Sequence, residues 1–357
     1  NQLYIPESPP DLRRLGLTVT DSIHIDLPVF HEPMEVINIG GSLAASTVNF
    51  SGFADTLSMI YVDANSTFDI QWPVTGGHVE QLFLQNLFPD GPTINLNFQG
   101  MTFGDVWIGQ LLGSGTDVHI EGLESDELHI SSSSIVNPSF STSIIRTLDM
   151  NTVHSEILDF SGLENSILWM NQCYTDSIAN WPSDLQSLEV QYFSIDQQVW
   201  PAFPDSLKAL YIWVNSSGLA FTITSFPDSL ETILLESLGP GFCLPVIPEN
   251  LDNVFWTIFE QSDCIPNFPL NLQTPYIGPV HLDGSPKICS VLASDCPGSN
   301  PGISGTIFHD VNSNGMFDIN EEPLPQSIAE VTPSIGFAPT NGNGLYTIGV
   351  PPGNYII

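Results

Sequence analysis

One spacing recurs along most of the chain. A leucine stands three residues after a proline in WPSDLQSLEV, FPDSLKALYI, FPDSLETILL, IPENLDNVFW and FPLNLQTPYI. Taking the leucine as anchor gives Leu185, Leu207, Leu230, Leu251 and Leu272, each preceded by Pro182, Pro204, Pro227, Pro248 or Pro269. An apolar residue precedes each proline: Trp181, Phe203, Phe226, Ile247, Phe268. The register runs backwards through Asn165, Ile145, Ser125, Phe103, Val79, Leu57, Met34 and Leu12, with successive anchors 20 to 24 residues apart. Apolar residues stand three and five positions after the anchor in twelve consecutive repeats, from Leu15 and Leu17 to Val254 and Trp256. A thirteenth, with Pro275 and Ile277, frays.

Strand side chains alternate between faces, so positions three and five share one face. Each repeat then donates a short strand whose inner side must be shielded by its neighbours. At about 4.8 Å per coil, thirteen coils make a rod of about 60 Å. Proline before the anchor disfavours helix on the return side and favours extended or polyproline backbone.

The L-x-x-L-x-L spacing resembles the leucine-rich repeat family over residues 1 to about 280. The asparagine that family carries after its third leucine is replaced by mixed residues. The Pro-Asp-Ser-Leu form resembles repeats of secreted, surface-attached proteins of the Bacteroidota, which implies export through the type IX system and an extracellular or cell-surface location. The expected fold is mainly β. A leucine-rich-repeat solenoid with one short parallel strand per coil and few helices spans 1–293, and the Pro/Gly/Ser linker SDCPGSNPG spans 294–302. A small, incomplete β-sandwich follows over 303–357. The chain opens on NQLYIPESPP, as if inside a repeat, and closes on PPGNYII, as if inside a strand. It reads as a mature or truncated piece of a longer protein.

Charge narrows the partners. Among 357 residues, 40 Asp and Glu face 5 Lys and Arg, a net charge of -35. Such a chain repels phosphate backbones and anionic lipid, so nucleic acid and membrane surfaces are excluded as partners. No run of 18 apolar residues appears, so no membrane insertion is expected. Apolar residues at 42% suffice for a continuous core.

One polar cluster stands out, in FHDVNSNGMFDINEE. Asp310, Asn312, Asn314, Gly315 and Glu321 fit D-x-[DN]-x-[DN]-G-x5-E, with Asp318 between. Calcium takes six to eight hard oxygens, and alternate residues of a tight loop can all point inward. Gly315 permits the sharp turn, Met316 offers its carbonyl, and Glu321 can close the site with both oxygens. The plainer alternative is a polar Asn-Gly turn between strands. The flanks, GISGTIF and LPQSIAEV, are rich in β-formers, unlike the helices of an EF-hand. With NGLYTIGVPPGNYII behind it, the stretch resembles the calcium-binding B-type (Cna-B-like, SdrD B-like) β-sandwich modules of bacterial surface adhesins, which implies a stalk stiffened by the ion.

Five cysteines leave one unpaired. Cys289 and Cys296 are expected to form a disulfide after the last coil. Cys243 and Cys264, at equal offsets in adjacent coils, either bridge or stack as thiols. Cys173 is read as buried filler. No nucleophile elbow, phosphate loop, dinucleotide fingerprint or H-E-x-x-H motif is present. His119, Glu121 and His129 match no common zinc spacing. Asp149 and Glu189 stand two coils apart, about 10 Å, at the edge of what a paired-carboxylate glycosidase uses. An enzyme is not expected.

The outward face is more informative. Four residues after the anchor stand Tyr61, Phe83, Trp107, His129, Asp149, Trp169, Glu189, Tyr211, Leu234, Phe255 and Tyr276, with Trp213 beside Tyr211. Aromatics at coil spacing make a platform for sugar rings or an extended peptide. Alternatively they pack on one another or against a partner chain. The expected function is recognition or adhesion, with a glycan or protein ligand on Tyr61, Phe83, Trp107, Trp169, Tyr211, Trp213, Phe255 and Tyr276. The alternatives are a structural subunit of a surface fibre or layer that binds copies of itself, and an accessory region of a carbohydrate-active enzyme.

Overall fold

The computed structural model describes residues 2–5, 11–20, 23–30, 34–41, 46–53, 57–64, 68–73, 76–85, 93–109, 116–131, 136–195, 199–213, 223–236, 248, 251–257, 265–266, 276–277, 288–289, 302–318, 320–332, 336–340, 342–349 and 356. The regular structure among them is β throughout, with no helix. Of the expected boundary at 294–302, residues 294–301 lie outside the described residues, and Gly302 opens the strand Gly302–Thr306. Two compact units are present, Asn1–Asp196 and Gln197–Ile357.

The first unit is a parallel β-solenoid. Its front sheet runs Arg14–Val19, Val36–Gly41, Leu57–Ala64, Gly77–Gln85, Met101–Gly109, Glu124–Ser131, Ser143–Asn151, Leu163–Asn171, Ser187–Gln191, each strand pairing in parallel with that of the next coil. The inner positions read from the repeat are the core. Leu82, Val106, Leu128, Leu148, Leu168 and Leu188 are successive register partners and all are 0% exposed. Two residues on, Leu84, Ile108, Ile130, Met150, Met170 and Val190 repeat the pattern, all buried. Each such side chain contributes about 1.5–3 kcal/mol over an exposed one.

The return segments, expected to be extended, are paired as well. Gln2–Tyr4, His24–Phe30, Ser46–Phe53 and Phe68–Gln71 form one parallel sheet. Thr93–Asn97, Thr116–Glu121, Val136–Ser141, His154–Asp159, Tyr174–Asn180 and Ser194–Ile195 form another. Most coils therefore carry a second strand beside the one expected. Alternation explains it, since Val118 and Ile120 are buried while His119 and Glu121 between and after them face outward. Inside, Phe140, Phe160 and Trp181 stack with centroids 6.1 and 6.2 Å apart.

Front strands of the middle coils bend. Pairing between Met101–Gly109 and Glu124–Ser131 passes from Phe103↔Ser125 to Asp105↔Glu127, skipping Gly104 and Asp126. The next coils skip Arg146 and Ser166 in the same way. Buried positions shift accordingly, from Met101 and Phe103 to Val106 and Ile108. The anchor faces inward before the bend, which buries even Ser125 and Asn165. Asn165 meets this by donating Nδ2 to the carbonyl of Ile145 at 2.9 Å. The turn into Leu163 needs a left-handed residue: Gly162 has φ +77°, and a Cβ there would lie 2.9 Å from the carbonyl oxygen of Phe140.

In the second unit, Ala209–Trp213, Thr232–Glu236, Asn253–Thr257 and Tyr276–Ile277 are parallel neighbours in that order. Leu210, Ile212, Ile233 and Leu235 are 0% exposed. The same unit holds two antiparallel pairs, Gly302–Thr306 with Leu345–Gly349 and Ile328–Val331 with Gly336–Pro339. Ala329, Val331 and Tyr346 form their small core, with Ile303 and Ile307 against it.

Candidate functional site

Register places the expected outward row on one line. Tyr61, Phe83, Trp107, His129, Asp149, Trp169 and Glu189 are successive partners across the front sheet. Alternation dictates this, because each lies between two buried positions of its strand. Tyr211, Leu234 and Phe255 are successive partners in the second unit. Tyr276 departs from expectation: it pairs with Val254, and Ile277 takes the place opposite Phe255. This one-residue slip follows Pro275, which has no N–H to lend the ladder. The side chains of Phe255 and Tyr276 lie outside the described residues.

The row is two things at once. From Tyr61 to His129 the rings pack on each other: centroids are 6.3 Å apart for Tyr61–Phe83, 6.0 Å for Phe83–Trp107 and 3.7 Å for Trp107–His129. Phe83–Trp107 and Trp107–His129 are near-parallel, at 16° and 13°. Tyr61 also donates its hydroxyl to Gln85 Oε1 at 3.0 Å. These rings turn faces to one another and offer a ligand mainly their edges. In the second unit Tyr211 and Trp213 stack at 5.9 Å. Trp169 differs. It is 40% exposed, as is Trp107, but its row neighbours are Asp149 and Glu189, and no aromatic ring lies against it among the described residues.

His129 is the electrostatic centre of the row. Its Nδ1 lies 3.1 Å from Asp149 Oδ2 and its Nε2 3.1 Å from Glu127 Oε2, and only 14% of the side chain is exposed. Burial alone lowers its pKa, but hydrogen bonds and charge from Asp149 and then Glu127 outweigh it, so the pKa is raised. Protonated, it is a cation lying flat on Trp107 between two carboxylates. The part of Glu127 was missed in the sequence reading; its place two residues before His129, on the same face of one strand, was the available signal. His119 is on the return sheet against Ser139, so the His119–Glu121–His129 set does not converge.

The loop after Phe308 is a tight turn with two left-handed residues. Gly315 has φ +73° and Ser313 +58°. Asp310 accepts backbone N–H bonds from Asn314 at 3.2 Å and Gly315 at 2.8 Å. Those bonds, that from Gly315 foremost, hold its pKa below the usual carboxylate value. Glu321 is buried and accepts from the amides of Val311 and Asp318, both at 3.0 Å. Asp318 Oδ2 accepts the side-chain amides of Asn312 at 2.7 Å and Asn314 at 2.8 Å. The five oxygen-bearing side chains thus gather about one turn, while Met316 is 64% exposed. Among the described residues no three of His, Cys, Asp and Glu stand as a metal-holding group. Two of the loop positions are Asn with nitrogens turned to Asp318, so a cation held by all five needs both amides to rotate.

Cys173 is buried with Sγ 3.3 Å from the carbonyl of Met150, and burial pushes its thiol up to about 12, which suits filler and not a nucleophile. Cys243, Cys264, Cys296 and the side chain of Cys289 lie outside the described residues. No helix among the described residues is long and apolar enough to cross a membrane. No family model, curated protein or solved structure matches the chain.

Proposed function

We propose that the chain is a recognition or adhesion protein of leucine-rich-repeat character, secreted or held at a cell surface, and not an enzyme. Its outward row engages an extracellular glycan or protein ligand. The observation that carries this reading is the row itself, with two tryptophans 40% exposed in one line of register partners. Rings left in water on a regular face forgo burial that a ligand restores. The Bacteroidota-like repeats and export by the type IX route belong to the same proposal, as does kinship of the C-terminal module with Cna-B-like stalks. Calcium is its cofactor, held by Asp310, Asn312, Asn314, Asp318, Glu321 and the carbonyl of Met316. Support comes from the gathered oxygens and the left-handed Gly315. The ion would replace the internal amide bonds and neutralise part of a strongly acidic chain.

A glycan and extracellular-protein array probed with the intact chain tests the first part. Binding that survives Trp107→Ala together with Trp169→Ala places the ligand elsewhere. For the second, calorimetry of the intact chain is expected to show saturable calcium uptake, lost in Asp310→Ala with Glu321→Ala. Uptake unchanged by that pair of substitutions removes the ligand assignment.

A further inference from the structure

Trp107 and Trp169 are equally exposed and sit in the same row, yet only Trp107 has an imidazole against its ring. On Trp107 lies His129, 3.7 Å away and near-parallel, with Glu127 and Asp149 each 3.1 Å from its two nitrogens. Aromatic ring, flanking carboxylates and the imidazole between them form a complete arrangement, in which ring quadrupole and negative charge would act on the same cation when the imidazole is protonated. At Trp169 the ring and the carboxylates recur: its register partners are Asp149 on one side and Glu189 on the other. Adjacent strands lie about 4.8 Å apart, so both acids are within a side chain's reach of the ring face.

The cation is what this second arrangement lacks. The chain has 5 Lys and Arg, and none stands in the row. Three of them are engaged with acids of their own, Arg14 with Glu35, Arg146 with Asp126 and Lys208 with Glu231. Asp149 already meets His129, and Glu189 accepts from Gln191 Nε2, yet each carries a negative charge beside the ring. A neutral sugar brings no charge to match them, whereas a cation on Trp169 interacts with ring and acids together.

Resting on the recognition reading above, we infer that the ligand of this face is a basic polypeptide segment, whose lysine or arginine side chain lies on Trp169 between Asp149 and Glu189. Charge complementarity favours it: a chain of net charge -35 draws cations from a distance, and Trp169 supplies the specific seat.

Titration of the intact protein with an octa-arginine peptide, beside an uncharged oligosaccharide and an octa-glutamine peptide, tests this at physiological salt. Binding of octa-arginine is expected to weaken about fivefold in Trp169→Ala, and similarly in the isosteric Glu189→Gln, while Glu156→Gln, which removes one exposed charge from the return strand His154–Asp159, leaves it unchanged. Unaltered thermal melts of Glu189→Gln separate loss of the seat from loss of the fold. Equal octa-arginine affinity in all variants means attraction by overall charge alone and overturns the inference. Oligosaccharide binding that depends on Trp169, without peptide binding, overturns it too but leaves the recognition reading standing. Failure of every probe overturns both.

Discussion

Coils ending near residue 171 and coils beginning near residue 182 bury the same offsets after their anchors but differ in how they reach them. In the first group the front strands Met101–Gly109, Ser143–Asn151 and Leu163–Asn171 are each 9 residues long. In the second, Ser187–Gln191, Ala209–Trp213, Thr232–Glu236 and Asn253–Thr257 are each 5. The difference is the proline. Where Leu163 enters its strand through a turn closed by its N–H on the carbonyl of Phe160, three inner and outer residues follow before the bend. Where Pro182, Pro204 or Pro227 stands, the same kind of turn closes directly onto the anchor, with Leu185, Leu207 and Leu230 donating at 3.4, 3.1 and 3.1 Å. Proline has no ladder donor and a fixed φ, so the first half of the strand becomes a turn. The lesson is that a hydrophobic register can be conserved in space while the backbone beneath it is rebuilt.

The largest expected effect tests the shared part. Leu128→Ala in a long-stranded coil and Leu210→Ala in a short-stranded one both remove a side chain that is 0% exposed. Each is expected to cost about 2–5 kcal/mol, read by urea unfolding. A loss confined to one of them breaks the claim that the two groups bury equivalent positions. Next is the bend that only the long strands have. Asn165→Ala strips the side-chain donor from the carbonyl of Ile145 and is expected to cost about 1–3 kcal/mol; a neutral result means water serves that carbonyl equally well. On the proline side, Pro204→Ala frees φ at the turn in the unfolded chain and is expected to lower stability by about 0.4–1 kcal/mol. A stabilised variant would mean that proline is tolerated there and does not shape the turn.

The smallest effect concerns charge on a long-stranded coil. His129 has a folded pKa raised above its unfolded value of about 6.5. The stability it contributes is therefore fully present below about pH 6.5 and lost as pH rises through the folded pKa. Thermal melts across that window, with His129→Gln as control, are expected to converge at the alkaline end. A difference between the two that does not change with pH sinks the assignment of charge to His129.

Much of the solenoid was legible from offsets alone. Positions three and five after the anchor are buried from Ile37 to Leu235, because water must be kept off one face of every strand whatever the return path. The outward row was legible for the same reason from Tyr61 to Glu189 and again from Tyr211 to Phe255, departing at Tyr276. Two features were not. The sequence pattern of the anchors said nothing of ring planes, and it is those planes that turn Tyr61, Phe83 and Trp107 toward one another. The return sheets were underestimated because TDVHIE and HSEILD alternate over few residues, too briefly to outweigh the stronger front pattern.

What the residues determined unaided was local: which faces must be dry, where proline denies a ladder donor, and where Gly315 must turn left-handed among acids. These follow from solvation and backbone sterics, which act on each segment separately. Register between coils was left to the tertiary structure, since hydrogen bonding between distant strands decides which side chains become neighbours. Only that alignment set His129 on Trp107 between Glu127 and Asp149, and made the same Asp149, with Glu189, the neighbours of Trp169.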